Sequence, residues 1–190
     1  HPLRDLSNSE PQEDVIKTFN LLTCKPIIYV CNVDENSLIN GNQYSEQVRA
    51  YSNDKNLGCM NISAKIESEI SSFKLESEKI EFLESIGLQE TSLSKLISKG
   101  YEILDLITFF TSGPKESRAW SIKKGTFVPD AGAKIHTDFK TGFIKAEVIS
   151  YEDFVKFNGE AKCKENGRLK LEGKEYIVND GDVITFRFNV

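Results

Sequence analysis

Apolar positions follow two regimes along this chain. Up to about residue 104 they recur at helical spacing or gather in short continuous runs, and from Leu106 they alternate in period two. Ser9-Glu-Pro-Gln12 fits a capping box with proline just inside the first turn. Val15, Ile16, Phe19 and Leu22 then recur at helical spacing, which predicts a helix over 10–22. Ile27–Cys31 is a short apolar run that suits a strand covered on both faces. Residues 36–42 read as loop, 43–53 as a helix marked by Val48 and Tyr51, Gly58–Ile62 as a second strand, and Ile66–Phe73 as the helix behind it. Strand and helix alternate, which predicts parallel α/β architecture.

Residues 77–104 read as helical, with breaks at Gly87 and near Gly100. Ile80, Leu83 and Ile86 form one apolar stripe. Leu93, Leu96, Ile97, Tyr101 and Leu104 form another, after a Thr91 or Ser92 cap. Both stripes read as core packing, and the segment is the candidate connection between two domains.

Beyond it, Thr108–Thr111 and Arg118–Ile122 are strand candidates joined by the turn Ser112-Gly-Pro-Lys115. Pro129–Phe139 reads as a short helix, Phe143–Ile149 as a strand and Tyr151–Phe157 as helical. Arg168–Leu171 and Tyr176–Val178 read as short strands. Asn179-Asp-Gly-Asp182 is a turn before the strand Val183–Phe188. Strands around a helix in so short a stretch predict a small α+β roll of the β-grasp kind.

Length and composition narrow the class. The 190 residues allow one large domain or two small ones, and no apolar run approaches membrane-spanning length. His1-Pro-Leu-Arg-Asp5 has no apolar stretch after it and does not read as a signal peptide. The missing initiator Met points to a fragment or a processed chain. Cys24, Cys31, Cys59 and Cys163 include no C-x-x-C pair. With only His1 and His136 they make no zinc set, so Cys24, Cys31 and Cys59, in apolar contexts, are expected to be buried thiols, in a reducing cytoplasm.

The net charge of −5 argues against a generally nucleic-acid-binding surface. Its distribution is uneven. Residues 115–145 carry seven basic side chains against three acidic ones, a balance of +4. Those seven, Lys115, Arg118, Lys123, Lys124, Lys134, Lys140 and Lys145, are candidate contacts to RNA or a ribosome, or else an ordinary solvated surface.

Candidate chemistry lies in two stretches, Lys25-Pro-Ile-Ile-Tyr-Val-Cys-Asn-Val-Asp-Glu35 and Asn61-Ile-Ser-Ala-Lys65. Open α/β sheets bind ligands beyond the carboxyl ends of their strands. Asn32 to Glu35 and Ser63-Ala64 occupy such positions. A phosphate-cradling G-x-x-x-x-G-K-[ST] is absent from all twelve glycines. Three other features take structural readings. His136 reads as a core or helix-cap residue, Trp120 as a core or contact residue on its strand, and Asp180-Gly-Asp182 as a tight turn rather than a metal loop.

Arg118-Ala-Trp-Ser-Ile-Lys-Lys-Gly125, Ile135-His-Thr-Asp-Phe139, Gly142-Phe-Ile-Lys-Ala-Glu-Val148 and Leu171-Glu-Gly-Lys-Glu-Tyr-Ile-Val-Asn-Asp-Gly-Asp182 resemble the C-terminal TGS domain of the YchF family, the Obg-like ATPases. Thr108-Phe-Phe-Thr-Ser-Gly113 and Phe186-Arg-Phe-Asn-Val190 fit as well. The stretches 25–35 and 63–65 fall where that family carries its base-recognition motifs.

The resemblance implies the C-terminal part of a P-loop NTPase domain over residues 1–105, a parallel sheet with helices, followed by a β-grasp TGS domain over 106–190. It also implies a translation-associated factor that binds and hydrolyses ATP or GTP with Mg in the full-length protein and contacts ribosome or RNA. Its phosphate and metal ligands would lie upstream, so no catalytic residue is assigned and no cofactor is expected for this chain alone.

Asn32, Val33, Glu35, Ser63 and Ala64 are the expected base-lining residues. Ordinary GTPases use Asn-Lys-x-Asp, whose Asp reads the guanine edge. Here Val33 replaces the Lys, and Glu35 is one methylene too long for that match, so adenine is the expected base. The alternative is a stand-alone β-grasp module that docks RNA, ribosome or protein without nucleotide. No membrane partner is expected, and the oligomeric state is left open.

Overall fold

A computed structural model describes Ile16 and residues 18–189. The predicted cap at Ser9–Gln12 and most of the helix predicted over 10–22 lie outside the described residues. Leu22–Cys24 forms one 3-10 turn. Internal contacts divide the chain into two units, with the division between Ile103 and Leu104.

The first unit is a β-α-β element with three further helices. Strands β1 (Ile28–Asn32) and β2 (Gly58–Ile62) run parallel in the register Ile28↔Gly58 through Asn32↔Ile62. A parallel pair needs a crossover, and helix α1 (Gln43–Asp54) supplies it.

Its start is locally encoded. The Asn42 side chain accepts from the N–H groups of Tyr44 and Ser45 at 3.0 Å, and Ser45 Oγ accepts from Asn42 N–H at 2.8 Å. Three orphan donors are thereby satisfied. Gly41 precedes the cap at φ +79°, where an added Cβ would lie 2.6 Å from Ser45 Oγ, so only glycine fits.

Helices α2 (Ala64–Ser72), α3 (Glu76–Ser85) and α4 (Ser92–Ile103) follow. Ile66 and Ile70 of α2 meet Leu83 of α3 and Leu38 in a small core. Thr91 Oγ1 accepts from Ser94 N–H at 3.0 Å, as the predicted cap requires, and Glu67 reaches Ser92 N–H at 2.6 Å.

Four expectations are corrected in this unit. Gly100 lies inside α4 and does not break it; a mid-helix glycine costs only about 1 kcal/mol. Cys24, Cys31 and Cys59 are only half-buried. Leu93 and Ile97 are 57% and 55% exposed, and Ile80 is exposed as well, so neither stripe is wholly core. Both β strands are only half-buried, with Val30 exposed. The last two share a physical reason: two strands form too narrow a sheet to cover both their own faces and the apolar sides of the helices.

The second unit holds a five-stranded mixed sheet. Its strands are β3 (Leu106–Ser112), β4 (Ser117–Lys123), β5 (Phe143–Ser150), β6 (Lys170–Glu172) and β7 (Asp182–Phe188), in spatial order β4-β3-β7-β5-β6. The β3–β7 pair is parallel and the others are antiparallel. Four short helices complete the unit, α5 (Val128–Ala133), α6 (Thr137–Thr141), α7 (Tyr151–Lys156) and α8 (Glu160–Glu165).

Period-two alternation sends Ile107, Phe109, Ile122, Ala146, Val148, Ile184 and Phe186 inward, against Val128 and Ala131 of α5. Phe109, Val128 and Ala146 are wholly buried. The strand predicted at Tyr176–Val178 is instead an isolated bridge, Phe127↔Ile177. It is flanked by hydrogen bonds from Val128 N–H to Tyr176 O and from Val178 N–H to Thr126 O. Helix α8 carries no apolar periodicity and went unpredicted; it is held by the buried Cys163.

Two details fix the ends of the sheet. The β7 end is pinned where Asn189 N–H donates to Gly142 O at 2.9 Å. At the other end, Asp182 is buried. Its carboxylate accepts from the Tyr176 hydroxyl at 2.8 Å and from Asn179 N–H at 2.9 Å. Burial, and then the Asp182 carboxylate beside it, push the Tyr176 phenol up to about 12.

Two measurements check these readings. At Gly142 an added Cβ would lie 1.8 Å from Asn189 O. Gly142→Ala is therefore expected to lower stability by about 3 kcal/mol, the upper range for overpacking, read as a fall in the urea midpoint. For Tyr176 the folded value is raised above the ordinary 10.0. The stability it contributes is complete below about pH 10 and is lost as pH rises toward about 12. The stability gap between wild type and Tyr176→Phe should accordingly shrink over that window in pH-stepped urea titrations.

Candidate functional site

The parallel register brings the two predicted loops to one rim. Asn32 ends β1, and its Oδ1 accepts from Ala64 N–H, the first residue of α2, at 3.0 Å. Val33 N–H continues the ladder by donating to Ile62 O at 2.8 Å. Asp34 then caps a 3-10 turn, Glu35–Ser37: its Oδ1 accepts from Ser37 N–H and its Oδ2 from Ser37 Oγ–H, both at 3.0 Å. Across the rim, the Lys65 ammonium forms an ion pair with the Glu35 carboxylate.

All five residues expected at the base thus lie around one junction, with unequal exposure. Asn32, Glu35 and Ala64 face solvent, whereas the Val33 and Ser63 side chains are 8% and 1% exposed. The Val33 amide is already engaged, so its N–H cannot serve a ligand. A hollow of about 480 Å3 opens beside Glu35, bordered by Asn36, Leu38, Ile66, Glu69 and Phe82.

Lys65 is the residue that sequence reasoning left unassigned. Glu35 holds its ammonium above the usual lysine range by hydrogen bond and charge. The available signal was the opposite charge of Glu35 and Lys65 in the two motifs. One residue before Asn32, burial pushes the Cys31 thiol up, and the neighbouring Cys59 thiol adds to the rise.

The seven basic candidates in the second unit are all exposed, but they do not act alike. Arg118 pairs with Glu116 at 3.0 Å and lies 5.9 Å above the Trp120 ring. Lys123 donates to Leu104 O at 2.6 Å, and Lys140 pairs with Asp130 at 2.5 Å. Lys115, Lys124, Lys134 and Lys145 have no ion pair among the described residues.

His136, Trp120 and the turn at Asp180 all make structural contacts. His136 Nδ1 accepts from Asp138 N–H at 3.3 Å as the cap of α6. Trp120 packs against the core and donates to Thr111 Oγ1 at 3.0 Å. Asp180 ties its turn to β3 by accepting from Thr108 N–H at 2.7 Å, with Gly181 at φ +83°.

The family model YchF-GTPase_C, described as a protein of unknown function (DUF933), matches residues 106–189. The chain is 47% identical over 188 residues to the ribosome-binding ATPase YchF of Haemophilus influenzae, covering 99% of this chain and 51% of that protein. It is also 47% identical over 191 residues to the Bacillus subtilis protein of the same name, covering 100% and 52%.

Among solved structures, the YchF GTPase of Schizosaccharomyces pombe superposes with a TM-score of 0.83 at 32% identity, covering 98% of this chain and 50% of that one. A GTP-binding protein of Pyrococcus horikoshii OT3 shares the fold at a TM-score of 0.60 and 16% identity, covering 88% and 47%. The class is therefore an α/β chain whose second unit is a YchF C-terminal region. The chain belongs to the YchF family and corresponds to the C-terminal part of its members. It spans about half the length of the curated relatives it matches.

The Asn32–Ala64 link is the only hydrogen bond described from the Asn32 side chain to the α2 end. Asn32→Ala is expected to cost about 1 kcal/mol, visible as a small drop in the thermal midpoint of the first unit.

Proposed function

We propose that this chain supplies the base-reading part of a nucleotide site in a YchF-type protein that binds and hydrolyses ATP, and GTP less well. One observation carries the reading: Asn32 and the Ser63–Lys65 start of α2 converge at the carboxyl ends of parallel strands, the ligand rim of open α/β sheets. Residues 1–105 are the C-terminal part of a P-loop nucleotide domain on this reading, and the relatives' names as ribosome-binding ATPases support it.

The phosphate-binding and Mg-binding residues belong to the part of such a protein that this chain does not span. Among the described residues no group of three or more His, Cys, Asp or Glu side chains is placed to hold a metal ion.

The sheet order β4-β3-β7-β5-β6, with a parallel β3–β7 pair across helix α5, supports the assignment of residues 106–190 as a β-grasp TGS domain. Lys115, Lys124, Lys134 and Lys145 are its proposed contacts to ribosomal RNA, in a cytoplasmic protein. A second reading, a docking module that works without nucleotide, is favoured by one fact: this unit has its own closed core.

ATP hydrolysis and ribosome co-sedimentation, measured on the full-length protein and on this chain alone, test the proposal. Hydrolysis by the full-length protein only, with both sedimenting, is the expected result. A full-length protein that neither binds nor hydrolyses ATP but still sediments would leave the docking module in its place.

A further inference from the structure

Three side chains at or after the end of β1 offer acceptors near the rim, and each already has a partner. Asn32 Oδ1 is spent on Ala64 N–H, which leaves the amide NH2 group, a donor, for a ligand. Both Asp34 carboxylate oxygens are spent on Ser37. The Glu35 carboxylate has the Lys65 ammonium, at the start of α2, as its ion-pair partner across the rim.

We propose that Lys65 is a positioning residue for base specificity: its ion pair withholds the Glu35 carboxylate from the N1–H and 2-amino donors of guanine. The inference rests on the base-site reading above and deepens it. Guanine presents two adjacent donors that call for an anionic acceptor. Adenine presents ring acceptors and one exocyclic donor, and needs no carboxylate. An amide NH2 can serve a ring acceptor on either base, so the neutralised carboxylate is what tilts this rim toward adenine. Chain length alone does not explain this, because an unpaired Glu35 on a flexible side chain could still turn to the base. The pair is solvent-exposed, with Lys65 at 78% and Glu35 at 45%, so it biases the choice rather than dictating it.

The test is competition of Mg-ATP and Mg-GTP against a fluorescent nucleotide, in the full-length protein at low salt. Lys65→Met is expected to raise the GTP-to-ATP affinity ratio about two- to fivefold, the scale of an exposed ion pair. Lys65→Arg, which keeps the pair, should hold the ratio near wild type. Adding Glu35→Gln to Lys65→Met should abolish the rise. An unmoved ratio in Lys65→Met, or the same rise when Glu35 is also replaced, overturns the proposal. Asn32→Ala separates the two failures. If it weakens both nucleotides while Lys65→Met changes nothing, only the role of Lys65 falls. If it weakens neither, the base-site reading falls and takes this inference with it.

Discussion

The parallel pairing of β1 with β2 is the constraint on which the candidate site depends. Parallel strands cannot be joined by a tight turn. The chain must therefore leave the end of β1, cross in α1, and return to the start of β2. Both strands then finish at the same rim, and the residues after each are forced to meet there. Asn32 and Ala64, 32 positions apart, are brought to 3.0 Å by that geometry alone. The capping of α1 by Asn42 and the tight turn at Gly41 matter because they set where the crossover begins.

The second unit solves a different problem. Its strands alternate inward and outward, so one face of the sheet needs a cover. Helix α5 provides it with Val128 and Ala131, both fully buried. The outward face carries paired charges instead. Arg187 holds the Glu147 carboxyl below its ordinary range across the β5–β7 pair, with nitrogen–oxygen distances of 2.9 and 3.2 Å. The two units thus reach stability by different routes. One has a well-filled core, and the other leaves apolar helix faces such as Leu93 and Ile97 in solvent.

Local signals were legible in the sequence and long-range ones less so. Gly58–Ile62 was read as a strand with its bounds correct, because a short apolar run between turn residues has few other uses. The Thr91 cap and the hairpin at Ser112–Lys115 were equally local. Tyr176–Val178 alternates like a strand, but it makes only one bridge, since its flanking hydrogen bonds go to the chain entering α5. The apolar stripe of α4 obeyed helical periodicity, yet periodicity reports amphipathicity and not what lies opposite. At the site, the resemblance to the YchF family marked Asn32 and Ala64, which residue types alone would not have singled out. The Glu35–Lys65 pair required knowing that the two loops share a rim, which only the register supplies.

The position of β7 has a consequence for how the second unit is made. The last of its strands to leave a ribosome is the one that belongs in the middle, between β3 and β5. Until residues 182–188 emerge, the β3–β4 hairpin and the β5–β6 pair are separate pieces. Each keeps an unpaired edge where β7 will pair. Exposed edges of this kind invite wrong partners. The sheet therefore cannot be completed until its last strand has been made.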